Sequence, residues 1–117
     1  MASEGFHEPV QELKAETRGM HRAIVSLMEE LEAIDWYQQR VDASPDEELR
    51  AILAHNRDEE KEHAAMVLEW IRRHDPAFDV QLRKYLFTTS PITDRAAEAE
   101  PQPPGGSGGN GGKRWTG

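Results

Sequence analysis

Apolar residues recur every three or four positions along the first third of the chain. The series begins after Pro9, a residue that suits the first turn of a helix, and it ends near Arg40. Its apolar members are Leu13, Met20, Ile24, Leu27, Leu31 and Ile34. This spacing predicts one long amphipathic helix with a single apolar face.

A second helix is predicted by a start signal and by a second stripe. Ser44-Pro45-Asp46-Glu47 offers a serine N-cap, a proline at the first helical position and a glutamate three residues after the serine. The stripe that follows, in steps of four and three, contains Leu49, Leu53, Asn56, Glu60, His63, Val67, Trp70 and His74. Asp75-Pro76 then indicates a shorter third helix, whose apolar side holds Phe78, Leu82, Tyr85 and Leu86.

These elements predict an all-α fold in which the two long helices form an antiparallel hairpin, followed by the short helix. Two helices do not enclose a core, so we expect two hairpins to dimerise into a ferritin-like four-helix bundle that buries the apolar stripes. Residues 1–93 would form this helical domain. Residues 94–117, rich in Ala, Glu, Pro and then Gly, have the composition of a flexible linker or tail.

The charge balance and the absence of cysteine narrow the classes of function. The formal net charge is -8, and because the charges from Asp94 onward cancel, the excess acid lies in the helical part. An acidic surface disfavours nucleic acid and membrane surfaces and attracts cations. Without cysteine, any metal must be bound by carboxylates and imidazoles. With no membrane span or secretory signal in the sequence, a cytoplasmic location is expected.

The second stripe contains two candidate metal ligands. Glu60 and His63 interrupt it one i, i+3 step apart, and a carboxylate buried without a partner costs several kcal/mol, so the pair calls for a cation. On the first helix, Glu30 lies closest to the apolar stripe, whereas Glu29 and Glu32 point further out. Ferritin-like sites take one Glu from each of two helices and one Glu-x-x-His from each of two others, so this chain holds half a set. Two copies would complete it.

Other interpretations stand beside this one. His63 alone is more often an interface histidine than a ligand, and the acids around Glu60 are typical of a solvated face. The pair could instead bind a structural ion such as zinc or calcium in a non-catalytic assembly or adaptor module. An oxygenase with an organic substrate would need an apolar pocket that two helices hardly supply. Packing roles are expected for Met20, Met28 and Met66, and interface roles for Trp36 and Tyr37.

Several segments resemble one family. The first helix contains residues 21–26 (HRAIVS), 28–33 (MEELEA) and 35–37 (DWY); the second contains 52–66 (ILAHNRDEEKEHAAM) and 68–70 (LEW), and the third part ends with 85–88 (YLFT). Together they strongly resemble the encapsulated ferritins of bacteria, over nearly the whole chain up to Thr93. The resemblance implies a ferroxidase whose homodimers close into an annular homodecamer. It also implies a cargo protein of an encapsulin shell, located in an encapsulin nanocompartment in the bacterial cytoplasm.

The same resemblance assigns residues. It implies a di-iron (Fe) centre with ligands Glu30, Glu60 and His63 from both subunits, in which Glu60 bridges the irons and Tyr37 lies nearby. It places Glu29, Glu32 and Trp36 on the route by which metal enters, as a secondary site. Family members end in a short targeting peptide with apolar residues such as leucine, whereas residues 111–117 read Gly-Gly-Lys-Arg-Trp-Thr-Gly.

Overall fold

The computed structural model describes residues 5–97, and within that range the chain is helical and contains no strand. Three α-helices, α1 (Ala15–Ala43), α2 (Glu47–His74) and α3 (Pro76–Tyr85), are accompanied by two short 3₁₀ helices, Val10–Glu12 and Ile92–Ala97. The predicted all-α class and the three predicted helices are confirmed. None of these helices combines the length and the apolar character needed to cross a membrane.

The start of α1 differs from the prediction. A 3₁₀ turn follows Pro9, and Leu13 and Lys14 then adopt extended conformations with ψ of 141° and 153°, so α1 begins only at Ala15. The Arg18 guanidinium donates a hydrogen bond to the Leu13 carbonyl, which stabilises this break. Apolar spacing does not reveal such a break, because Leu13 keeps the periodicity of the stripe although it lies outside the helix.

The cap of α2 also differs from the prediction. Asp46, not Ser44, is the N-cap: its Oδ2 accepts a hydrogen bond from the Leu49 N–H at 3.1 Å, and its carbonyl accepts from the Arg50 N–H at 2.9 Å. The Ser44 hydroxyl is buried and makes no hydrogen bond within residues 5–97. A carboxylate is favoured here because it also carries a charge that the N-terminal end of the helix dipole attracts.

The chain divides into two compact units, Met1–Trp70 and Ile71–Gly117. In the first unit, α1 and α2 run antiparallel as predicted. Near the connecting turn, Arg57 Nη1 donates to Gln38 Oε1 at 2.7 Å, and the Gln38 amide in turn donates to Asp42 at 2.8 Å. At the other end of the hairpin, Ala23 of α1 and Val67 of α2 line the same groove. Late residues of one helix therefore face early residues of the other.

Burial in the first unit is sparse. Among its described residues only Met20 and Ala64 are buried hydrophobic side chains. Large apolar residues of both stripes remain exposed, among them Ile24 and Leu31 of the first stripe and Leu49 and Trp70 of the second. The apolar stripes are therefore a surface rather than a core in the single chain. The pairing of two hairpins remains a prediction, and this exposed surface is what it would bury.

The second unit is built around α3. Asp75 caps that helix as predicted, accepting from the Phe78 N–H at 3.1 Å. The helix Ile92–Ala97 is attached to α3 by Arg95, whose Nε donates to the Lys84 carbonyl at 3.0 Å. This short helix crosses the predicted boundary between residues 93 and 94. Because most of the predicted tail, residues 98–117, lies outside the described residues, the division of the chain remains a prediction.

Candidate metal centre

The antiparallel hairpin brings the three predicted ligands together. Glu30 lies near the middle of α1, and Glu60 and His63 lie one turn apart on α2. One potential ligand atom from each side chain lies within 4.8 Å of the other two. His63 Nδ1 is 3.5 Å from Glu60 Oε1. No other cluster of three such side chains occurs within residues 5–97.

These separations suit a metal ion. Bonds of about 2.0–2.2 Å from one ion to oxygen and nitrogen ligands place the ligand atoms about 3–4.4 Å apart, depending on the angle between them. The observed limit of 4.8 Å needs only a small contraction of flexible glutamate side chains. Two carboxylates with one imidazole fit first-row ions such as ferrous iron or zinc. Calcium fits less well because it takes oxygen ligands.

The electrostatics of Glu30 indicate an uncompensated acid. Its side chain is half-buried, and its Oε1 is buried without a hydrogen-bond partner in the described part of the chain. Burial raises the pKa of Glu30 above 4.5, and the charges of Glu60 and Glu29 act in the same direction, while His63 opposes them. A bound cation would supply the compensation that the side chains of a single hairpin do not.

We expect Glu30→Gln to raise the stability of the metal-free protein at neutral pH, because the substitution removes a half-buried negative charge. The unfolded glutamate ionises near 4.5 and the folded one at higher pH, so as the pH rises through this interval the unfolded state loses its proton first and stability falls. The penalty is fully present above the folded pKa, and the substitution removes it. Thermal unfolding of chelator-treated protein at acidic and at neutral pH measures the effect. The exposed neighbour provides the control, Glu29→Gln, and equal melting curves for the two variants would refute the expectation.

One hairpin supplies only half of a ferritin-like site. Such a site has four glutamates and two histidines around two metals. Glu30, Glu60 and His63 provide two glutamates and one histidine, and the His63 side chain is 50% exposed on the open flank of the hairpin. The unfinished ligand set and the exposed apolar stripe therefore occur on the same unit of the chain.

The other predicted site residues do not join this cluster. Glu29 and Trp36 are exposed on α1, and Glu32 is half-buried. Tyr37 is half-buried, and its ring centre lies 5.4 Å from the guanidinium carbon of Arg40. The roles of these four residues in metal passage or turnover remain predictions.

Two structural features of the first unit could not be predicted from the sequence. The hydrogen bond between Arg57 and Gln38 joins residues 19 positions apart, and no spacing rule pairs two polar surface residues at that distance. A groove of about 480 Å³ lies between the helices, one turn from Glu30 and from His63. It is lined by Gly19, Arg22, Ala23, Ser26, Met66, Val67 and Trp70. Of these residues only Val67 and Trp70 belong to a predicted apolar stripe, so the stripes alone would not have revealed the groove.

Known proteins match this chain over most of its length. The EncFtn-like family model matches residues 5–89. An encapsulated ferritin-like protein of Rhodospirillum rubrum is 63% identical over 115 residues, which cover 98% of this chain and 81% of that protein. An encapsulin nanocompartment cargo protein of Myxococcus xanthus is 36% identical over 98 residues, covering 80% of this chain and 75% of that protein. A crystal structure of a Nitrosomonas europaea protein aligns with a TM-score of 0.73 and 73% identity, covering 75% of this chain and 97% of that chain.

Proposed function

This chain belongs to the EncFtn-like family, and on that premise we propose that it is a ferroxidase: two copies oxidise Fe(II) to Fe(III) with oxygen at a di-iron centre formed between them. The observation that carries the proposal is the cluster of Glu30, Glu60 and His63, with a buried Glu30 oxygen that lacks a partner. Iron is the substrate, and the protein supplies its ligands.

The ligand chemistry supports iron oxidation. Anionic carboxylate oxygens stabilise ferric more than ferrous iron, so binding to Glu30 and Glu60 favours loss of an electron. Two ferrous ions supply two electrons, which with two protons reduce one dioxygen to hydrogen peroxide. Glu60, one turn from His63 on α2, would bridge the two irons, and His63 would complete the coordination. Flexible glutamates suit this task because they can change their binding mode as the metal charge changes.

Pairing of two hairpins supports the same proposal. A two-fold axis would bring Glu30, Glu60 and His63 of both copies around the two irons. The same pairing would cover exposed apolar residues such as Leu31, which is 54% exposed. Closure of such dimers into an annular decamer is the assembly that the family resemblance implies. The acids Glu29 and Glu32, together with Trp36, would form the path along which ferrous ions reach the centre.

The names of relatives support a location inside an encapsulin shell. The Rhodospirillum protein is named encapsulated and the Myxococcus protein is named an encapsulin nanocompartment cargo. We propose that this chain likewise supplies ferric iron for storage inside an encapsulin nanocompartment, as a partner of the shell protein. Residues 98–117 lie outside the described residues, and residues 111–117 lack the leucine-containing pattern of the family's targeting peptide.

The test is aerobic oxidation of ferrous iron followed by absorbance. Wild-type protein is compared with buffer and with the triple variant Glu30→Ala, Glu60→Ala, His63→Ala, and the oligomeric state of each is measured. We expect the wild type to outpace both. If both proteins match the buffer rate while zinc still binds to the wild type and assembly is intact, the site is structural and the chain is a non-catalytic assembly module.

A further inference from the structure

Arg57 lies one turn before Glu60 on α2. The two positions are three residues apart, so their Cβ atoms lie about 5–6 Å apart on the surface of the helix. At this spacing an arginine and a glutamate ordinarily form an ion pair. In the described part of the chain Arg57 pairs instead with Asp58, and Glu60 pairs with His63 at 3.5 Å.

The acceptors of Arg57 occupy its whole guanidinium. Nη1 donates to Gln38 Oε1 across the hairpin at 2.7 Å, while Nε and Nη2 donate to the two oxygens of Asp58 at 2.9 and 3.3 Å. The Gln38 amide donates in turn to Asp42 at 2.8 Å, which fixes the orientation of the Gln38 oxygen towards Arg57. Each of the three guanidinium nitrogens therefore has an acceptor other than Glu60.

A guanidinium released from these acceptors would interfere with metal binding. Arginine donates two parallel hydrogen bonds to a carboxylate, which would occupy both oxygens of Glu60. The proposed role of Glu60 as a bridging ligand needs both of these oxygens. The positive charge of Arg57 would also repel ferrous ions at short range. Arg57 is compatible with the centre only while its guanidinium is held elsewhere.

We propose that Gln38 and Asp58 are positioning residues of the metal centre, which hold the Arg57 guanidinium away from Glu60 and leave both Glu60 oxygens free for iron. The inference rests on the proposed function. Neither Gln38 nor Asp58 belongs to the ligand cluster, so each acts through Arg57. The contacts lie inside one hairpin and need no exposure to solvent.

A role of these contacts only in tying α1 to α2 makes a different prediction. If they are a tie, removal of Arg57 is as harmful as removal of its acceptors, and the two losses do not compensate. If the acceptors restrain a competing cation, removal of Arg57 repairs the damage that their loss causes.

The experiment is a titration of the metal-free full chain with cobalt(II), followed by its visible absorbance, with the oligomeric state measured in each sample. The test variant is Gln38→Ala, Asp58→Ala. The matched control is Gln39→Ala, Glu59→Ala, which removes an amide and a carboxylate at neighbouring exposed positions and leaves the acceptors of Arg57 in place. A third protein adds Arg57→Met to the test variant, because methionine keeps a long apolar stem without donors.

We expect the test variant to bind cobalt(II) about tenfold more weakly than wild type, as loss of outer contacts around metal ligands does elsewhere. The control should bind as wild type does, and Arg57→Met should restore the affinity of the test variant. Wild-type affinity in the test variant, equal weakening in the control, or no restoration by Arg57→Met would each overturn the inference.

Oxidation of ferrous iron gives a second readout. High iron displaces a guanidinium that competes for Glu60, so the test variant should need several-fold more ferrous iron for its half-maximal rate and keep its rate at saturating iron. A lower saturated rate with an unchanged dependence on iron would contradict competition.

The two readouts also separate the inference from the function on which it rests. If the wild type binds cobalt(II) but oxidises ferrous iron no faster than buffer, the proposed ferroxidase function fails, and the cobalt titrations still decide the role of Gln38 and Asp58. If wild type and Glu60→Gln bind cobalt(II) equally, the centre itself is refuted and the inference with it.

Discussion

Replacing Glu60 by glutamine is expected to reduce oxygen-dependent oxidation of ferrous iron to the buffer rate. The carboxylate of Glu60 lies 3.5 Å from His63 Nδ1 and belongs to the same cluster as the buried Glu30 oxygen. The amide keeps the shape of the side chain but loses the negative charge and half of the ligand capacity. Because Glu60 is the proposed bridging ligand, each Glu60 that is replaced removes one ligand from each of the two irons. Stopped-flow absorbance at saturating ferrous iron measures the effect.

The matched control is Glu59→Gln. It removes the same charge from the neighbouring position, where Glu59 is exposed and pairs with His55 at 3.2 Å on the outer face of α2. We expect a rate within about twofold of wild type, since an exposed pair contributes little. Binding of cobalt(II), followed by its visible absorbance, reports the site without turnover and should be lost only in Glu60→Gln. Equal rates for the two variants would exclude Glu60 from the centre.

Asp79→Ala is expected to destabilise the protein by about 2 kcal/mol, because it removes a buried carboxylate that accepts charge-assisted hydrogen bonds from two partly exposed arginines. Asp79 is 4% exposed and accepts hydrogen bonds from two arginines, Arg72 on α2 and Arg83 on α3, the latter at 3.0 Å. Burial by itself raises the pKa of Asp79, but the hydrogen bonds from Arg72 and Arg83 outweigh it and hold the pKa below 3.8. The carboxylate therefore stabilises the folded state.

Urea unfolding followed by circular dichroism measures this loss, with the exposed Asp94→Ala as the control. The sign of the pH dependence follows from the lowered pKa. The contribution of Asp79 is fully present above the unfolded value of 3.8 and is lost as the pH falls through the lower folded value. The difference between wild type and Asp79→Ala should therefore shrink in acid. Equal stability of the Asp79 and Asp94 variants at neutral pH would contradict the expectation.

Local patterns were sufficient for most of the fold. The stripes and the Asp75-Pro76 signal predicted three helices, since helix periodicity and capping act within a few residues. The predicted start of α1 and the predicted N-cap of α2 were wrong, because two local signals compete at each of these places. Leu13 belongs to the first stripe, yet α1 begins only at Ala15. Ser44 offers a good cap for α2, yet Asp46 takes that role.

The candidate site was partly predictable for the same reason. Glu60 and His63 lie one turn apart on any helix, so their proximity follows from sequence spacing alone. Glu30 was selected by its place beside the first stripe, and the structure brings it to the pair. Sequence spacing did not separate the exposed Met66 from the buried Met20, because spacing along one chain says nothing about whether another helix covers a side chain. The 62% exposure of Met66 decides that question for the single chain.

The sequence by itself determined the helices, the excess of acid, the absence of thiol ligands and the pairing of Glu60 with His63. These depend on composition and on contacts within one helix. Only the tertiary structure decided that Glu30 meets this pair, that its Oε1 is buried without a partner, and that Asp79 lies between two arginines. Those facts depend on the register and burial of separate elements, and long-range packing sets both.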